Sequence, residues 1–249
     1  MISGHSMLMA GREQKAAETA ERQTKLTVEL RSCDSRIHLL SELEKELEGF
    51  SKAAKIVMQE SERGTLRGVH GPVGKMIRTE DRYALAVETA LGAHVGDIIV
   101  DTQDNGKDIF ALLKRRDGGR VTLQPMDVIR PARLNGEPRG EAGYVGVCSD
   151  LVNCDKRYSA VIASLLGRTA VAETLTDAIA IARRHNNSFR IVTLDGQILN
   201  AGGSMTGGSA GKNTGILSRA NELKRLREKR GDLEAQLSQT ESQRREAER

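Results

Sequence analysis

Leu26-Thr27-Val28-Glu29-Leu30-Arg31-Ser32-Cys33-Asp34-Ser35-Arg36-Ile37-His38-Leu39-Leu40 sets apolar side chains at 26, 30, 33, 37 and 40. Steps of 4, 3, 4 and 3 are the a/d seam of a coiled coil, in which one stripe of a helix faces a partner helix. A second series, Leu43, Leu47, Phe50, Ala54 and Val57, resumes the spacing after a 40-to-43 step that interrupts the alternation as a stammer would. From Arg12 to Glu62 there is no proline, and Gly49 is the only glycine. One arm over residues 12–63 is the expectation. The alternative is an amphipathic helix lying on a globular body.

The far end repeats the signature. Leu223, Leu226, Arg230, Leu233, Leu237 and Thr240 follow the same rhythm, with Arg230 able to bury its methylenes and lift its head group to water. Neither helix can bury its seam alone. Two helices flanking one insert run in opposite directions, so the arms are expected to pair antiparallel, with Leu47 facing Leu226 or a neighbouring register. The second arm is placed at 212–249. The opening Met1-Ile2-Ser3-Gly4-His5-Ser6-Met7 is too short and polar for a signal peptide, and residues 1–11 are expected to be an expression scar with a disordered start.

Composition separates the same three parts. Of 249 residues, 38 are Lys or Arg and 34 Asp or Glu. The ends are dense in both signs, while residues 63–211 hold most of the 25 glycines and all four prolines, so only the middle can bury a sizeable core. A net charge of +4 is mild; it permits weak phosphate contact without identifying a nucleic-acid binder. With no Trp, three Phe and three Tyr, the chain offers little from which to build a base-stacking surface. Cys33, Cys148 and Cys154 are odd in number and unpatterned, which suits free thiols in a reducing cytosol. No stretch approaches the ~18 apolar residues of a membrane span.

The middle reads as alternating helices and strands. Tyr83, Val87, Ala90 and Leu91 lie on one face of a helix ended by Gly92; Val95–Asp101 reads as a strand; Ile109, Leu112 and Leu113 mark a helix stopped at Gly118-Gly119; and Arg120–Leu123 is a further strand. Pro131 to Gly143 is a linker. The second part repeats the order. A helix through Val161, Ile162, Leu165 and Leu166 ends at Gly167; Thr169–Val171 and Phe189–Leu194 are strands around a helix from Ala178 to Arg184. The fold class is α+β, with subdomain one at about 64–130, a linker at about 131–143 and subdomain two at about 144–211, inserted at the tip of an intramolecular antiparallel coiled coil.

Gly202-Gly203-Ser204-Met205-Thr206-Gly207-Gly208 is the most unusual stretch. Four glycines fit positive φ angles or a close approach by another backbone. A flexible loop is the plain alternative; the strand-like Gln197-Ile198-Leu199 before it and the helix expected near Ile216 favour an ordered edge segment. A phosphate loop fails, because Gly211-Lys212 would need glycine at 206 and Ser or Thr at 213, where Thr206 and Asn213 stand. There is no Cys-x-x-Cys, the histidines His38, His70, His94 and His185 sit in separate segments, and no Gly-x-Ser-x-Gly elbow occurs, so neither a metal site nor a catalytic constellation is expected. Arg63 and Arg67, where the first helix ends, and Lys212 and Arg219, where the last begins, read either as solvated charge or as a positive skirt able to hold phosphates.

Gly68-Val69-His70-Gly71-Pro72-Val73-Gly74, Tyr83 through Gly92, Ile98-Ile99-Val100-Asp101, Gly119–Pro125, Arg190–Gly196 and the glycine-rich stretch together resemble the hinge of structural-maintenance-of-chromosomes (SMC) proteins. The resemblance covers roughly residues 64–211 and is closest to prokaryotic members. It implies a homodimerisation hinge for chromosome condensation and segregation, cytoplasmic and nucleoid-associated, with Gly202, Gly203, Ser204, Met205, Gly207 and Gly208 at the contact with a second copy. It implies weak, non-specific DNA contact at Arg63, Arg67, Lys212 and Arg219, although only Lys212 stands as a basic residue directly after the glycines. ATP and Mg are implied only at head domains outside this sequence, so neither enzymatic activity nor a small-molecule substrate, cofactor or membrane partner is expected here. The competing reading is a nucleic-acid-binding module on a coiled-coil stalk.

Overall fold

The computed structural model describes residues 2–208 and 215–247, with side chains over 11–208 and 215–246. In chain order, α1 spans Ile2–Lys45 and α2 Lys52–Glu62. Next come β1 (Val69–Pro72), the one-turn α3 (Val73–Met76), β2 (Ile77–Thr79), α4 (Asp81–Leu91), β3 (Ile98–Val100), α5 (Gln103–Arg115) and β4 (Leu123–Pro125). The second half holds β5 (Tyr144–Val147), β6 (Val152–Cys154), α6 (Ser159–Leu166), β7 (Thr169–Ala172), α7 (Leu175–Arg184), β8 (Arg190–Thr193), β9 (Ile198–Leu199) and β10 (Met205–Thr206). α8 spans Ile216–Ala247. Two compact units result: residues up to Glu48 with those from Glu222 on, and Gly49–Asn221.

In the first unit α1 and α8 run antiparallel. Leu26, Cys33 and Leu233 are buried, with Leu30, Ile37, Leu226 and Leu237 against them. Cys33 Sγ lies 3.2 Å from the Leu226 carbonyl, and Arg36 reaches Glu222 through two bonds of 2.8 and 3.1 Å. Leu226 therefore faces Cys33, not Leu47. Arg230 stays exposed, held at 3.0 Å by both Asp34 and Glu234, as expected of a cation that lifts its head out of a seam.

Four boundaries differ from expectation. The helix begins at Ile2, so the expected disordered start is helical from residue 2; residues 2–45 hold no proline to stop it. The arm helix ends at Lys45 rather than running to 63. Leu47 (φ 52°) and Gly49 (φ 95°) turn the chain in the left-handed region, and Ser51 Oγ then accepts the Ala54 N–H to start α2 afresh. α2 buries Ala53, Ala54, Val57 and Glu60 within the second unit, so the end of the second series, Ala54 and Val57, belongs to an amphipathic helix on a globular body. The strands expected at Val95–Asp101 and Arg120–Leu123 form at Ile98–Val100 and Leu123–Pro125, because a 3-10 turn occupies Gly92–Gly96 and Gly119 (φ 85°) turns the chain before β4.

The second unit is an internal duplication. β1 pairs antiparallel with β3, which pairs parallel with β4; β5 pairs antiparallel with β7, which pairs parallel with β8. The irregularity recurs at the same point, with Val69, Gly71 and Pro72 facing Val100, Ile99 and Ile98, and Tyr144, Gly146 and Val147 facing Ala172, Val171 and Ala170. α5 and α7 each start on a threonine, Thr102 and Thr174, whose hydroxyl accepts the N–H three residues on. The stacked pairs Arg82–Tyr83 and Arg157–Tyr158 also match, at 4.6 and 4.7 Å. These equivalences hold a constant offset of 75 residues from Gly68/Gly143 to Gly92/Gly167, and 72 at β3/β7 and α5/α7. Where the halves meet, β2 and β6 pair antiparallel with Ile77 facing Cys154, Arg78 facing Asn153 and Thr79 facing Val152. Each strand thus faces its own duplicate in reverse, which places a pseudo-two-fold axis between Arg78 and Asn153. The main core joins Val73, Ile77, Val87 and Leu91 of one half to Val161, Ile162, Leu166 and Val192 of the other, so the halves share one interior. Residues 131–143 lack regular structure but are tied down: Arg133 forms two 2.7 Å bonds to Asp150, and Glu137 accepts from the Tyr144 hydroxyl at 2.8 Å.

The duplication is incomplete. The second sheet runs β10-β9-β8-β7-β5, while among the described residues the first runs β1-β3-β4 and stops.

Candidate functional site

β9 and β10 form a hairpin on the far edge of the five-stranded sheet. Its turn needs Gly202 (φ 85°) and Gly203 (φ 95°), whose N–H groups donate to the carbonyls of Asn187 at 2.8 Å and Asn200 at 3.0 Å. Asn200 N donates to Ser204 O at 2.8 Å, making that facing pair a hydrogen-bonded one. Bonded and non-bonded pairs alternate along an antiparallel ladder. The next pair, Leu199 and Met205, is therefore non-bonded, and the N–H and C=O of Met205 point away from β9. Residues 201–208 are all exposed, with Met205 at 54%.

The glycines have local reasons. A Cβ on Gly207 would overlap Gln197 Oε1, and Gln197 clasps Gly208 from both sides, accepting from its N–H at 3.0 Å and donating to its carbonyl at 3.2 Å. A Cβ at Gly202 or Gly208 would meet nothing within 4 Å. Positive φ accounts for Gly202, Gly203 and Gly208, and the Gln197 clasp for Gly207.

The unmatched edge of the first half lies on β4. In the second half β9 covers β8, and Leu199 of β9 joins a cluster with Ala182 of α7, which is 4% exposed. The residue equivalent to Ala182 is Phe110 of α5, and it is 52% exposed, with Val128 at 42% after β4. Phe110 was legible only from the structure: it lies beside the Ile109, Leu112 and Leu113 stripe, so its exposure depends on a strand the first half lacks.

The basic candidates do not converge. Arg63 lies past the C-terminal end of α2 and bonds Glu60 at 2.8 Å. Glu60 is 2% exposed and also holds Arg116 at 2.8 Å; its carboxyl sits below the ordinary range chiefly through the Arg116 hydrogen bond. Arg67 is exposed. Arg219 is half-buried, its Nη2 3.0 Å from where a Gly49 Cβ would stand, near the opposite end of α2. The 11 residues of α2 put roughly 16 Å between those ends. Lys212 lies outside the described residues. A residue not singled out from sequence, Glu88 of α4, accepts the Ile216 N–H at 2.6 Å and caps the start of α8. Burial pushes its pKa up, against the lowering effect of that bond and of nearby Arg219.

The family model "SMC proteins Flexible Hinge Domain" matches residues 66–182. The crystal structure of an asymmetric dimer of the Geobacillus stearothermophilus SMC hinge domain is 31% identical, covers 96% of this chain and 97% of that one, and superposes with a TM-score of 0.85. The chain belongs to the SMC hinge family. An SMC hinge from Pyrococcus furiosus with an extended coiled coil is 25% identical over 99% of this chain and 87% of that one, with a TM-score of 0.54. The chromosome partition protein Smc of Bacillus subtilis is 34% identical over 214 residues, 84% of this chain and 18% of that protein. This SMC hinge spans between 16% and 20% of the length of the curated relatives it matches first. Among the described residues, no helix is long and apolar enough to cross a membrane and no cluster of three metal-ligating side chains occurs.

Proposed function

We propose that the chain is the homodimerisation hinge of a bacterial SMC protein that condenses and segregates chromosomes on the nucleoid, a structural module whose ATP and Mg chemistry belongs to head domains elsewhere in the longer protein. The observation that carries this is the pair of unmatched edges. β10 offers the outward N–H and C=O of Met205, and β4 lacks the strand that its duplicate carries. Laying β10 of one copy on β4 of another would join five strands to three and cover Phe110 and Met205; a two-fold arrangement makes this contact twice. Gly202, Gly203, Ser204, Gly207 and Gly208 then act by shaping the hairpin that presents Met205.

Molar mass in solution tests the reading. The unsubstituted chain is expected at twice 27.1 kDa at micromolar concentration. Met205→Pro deletes one outward donor and leaves the β9 ladder intact, so a folded monomer is expected. An unsubstituted monomer would sink the proposal. Weak DNA contact is part of the same reading; it predicts sequence-independent binding that salt removes.

A further inference from the structure

Where the two halves meet, the β2·β6 ladder borders a cleft of about 440 Å³. Its walls include Lys75, Arg78, Asn153, Asp155, Arg157 and Tyr158, three cations against one carboxylate. Arg157 is held 4.7 Å over the Tyr158 ring and 3.4 Å from Asp155. Arg78 donates through Nη1 to the carbonyls of Ile77 at 2.7 Å and Lys75 at 3.0 Å, which orients the guanidinium and leaves its other N–H groups without a protein acceptor among the described residues. Lys75 likewise has no carboxylate partner among them. Tyr158 is 4% exposed and hydrogen-bonded to His70 at 3.2 Å, so it cannot stack on a base.

We propose that this cleft, rather than the arm junction, is where the hinge holds the phosphodiester backbone of nucleic acid. This rests on the DNA-contact reading above and relocates its site. At the junction, Arg63 is tied down by Glu60, which it shares with Arg116, and Arg219 is half-buried beside Glu88. In the cleft, Lys75 and Arg78 have no carboxylate partner among the described residues and Arg157 is paired only with Asp155. Three cations therefore keep a net positive charge around a space with room for a backbone, which suits phosphate oxygens and gives no means of reading base edges.

The test titrates a short labelled DNA duplex into the dimeric chain across a salt series. Charge reversal by Lys75→Glu, Arg78→Glu and Arg157→Glu together should weaken binding at least tenfold. The corresponding Gln variants should flatten the slope of log K against log salt by about 2–3, close to one for each lost phosphate contact. Circular dichroism and molar mass of each variant establish that the hinge is folded and dimeric; the Gln set serves if the Glu set is not. Arg63→Glu with Arg67→Glu should change binding little. If the junction variant abolishes binding and the cleft variants do not, the cleft is overturned and the DNA reading stands. If the unsubstituted chain binds no DNA at low salt, both fall.

Discussion

Glu88 is the residue on which the start of α8 depends. A carboxylate on α4 meets the N–H of Ile216, and a Cβ at Gly215 would overlap it, so the contact is tight and specific. Losing a cap of this kind costs about 1–2 kcal/mol. Glu88→Ala should therefore lower the urea midpoint of Gly49–Asn221, while Glu88→Gln, which keeps an acceptor, should lower it less; an unchanged midpoint for the alanine variant would mean that the cap carries no load. Other carboxylates act with the opposite sign. Asp150 is held below its ordinary 3.8 first by the Arg133 hydrogen bond, Glu137 below 4.5 first by the Tyr144 hydroxyl, and Glu141 below 4.5 first by His185. A carboxyl depressed in the folded state contributes stability that is complete above its ordinary pKa and lost as pH falls through its folded one. Thermal unfolding followed from pH 7 downward should show stability declining from about pH 4.5, and Arg133→Ala should blunt that decline; a pH-independent midpoint would contradict it. Asp150 is exposed and Glu137 and Glu141 are half-buried at the surface, so each effect is small. Neither Glu88 nor the Arg133–Asp150 and Glu141–His185 staples could be read from sequence, because each joins residues in different elements well separated in the chain.

At the scale of elements, the heptads were legible as far as Lys45. The signal for the break lay in Gly49 followed by Ser51, a helix stop and a helix start within three residues, overridden by an apolar rhythm that continues through both. The duplication was visible only in pieces, since few residues repeat identically and strands of two to four residues carry no readable period. Gly68, Gly71, Arg82, Tyr83, Leu91 and Gly92 do recur 75 positions on. The antiparallel arm yields a test that uses a native thiol. Cys33 faces Leu226, so the single change Leu226→Cys should give an intramolecular link with a short bifunctional thiol reagent, seen as a shift in gel mobility that Cys33→Ser abolishes. Leu47→Cys should not link to a cysteine at 226. A link from Leu47 and none from Cys33 would put the arms in another register.

For the whole molecule, the central claim is that one half supplies a strand that the other half lacks, and that two copies complete each other. The open edge of β4 emerges only when the two halves are superimposed, and the sequence disguises them, so the glycines stand out in it and Phe110 does not. Completion between copies predicts reciprocity. In a homodimer of Met205→Pro each of the two contacts carries one lesion, and the same holds for Phe110→Asp. Mixing the two variants gives a heterodimer in which one contact is intact and the other carries both lesions. The most direct measurement is therefore the molar mass, by sedimentation, of each variant alone and of the equimolar mixture. The account predicts monomers of 27.1 kDa for each alone and dimers of twice that mass for the mixture; a mixture no more associated than its separate components would contradict it.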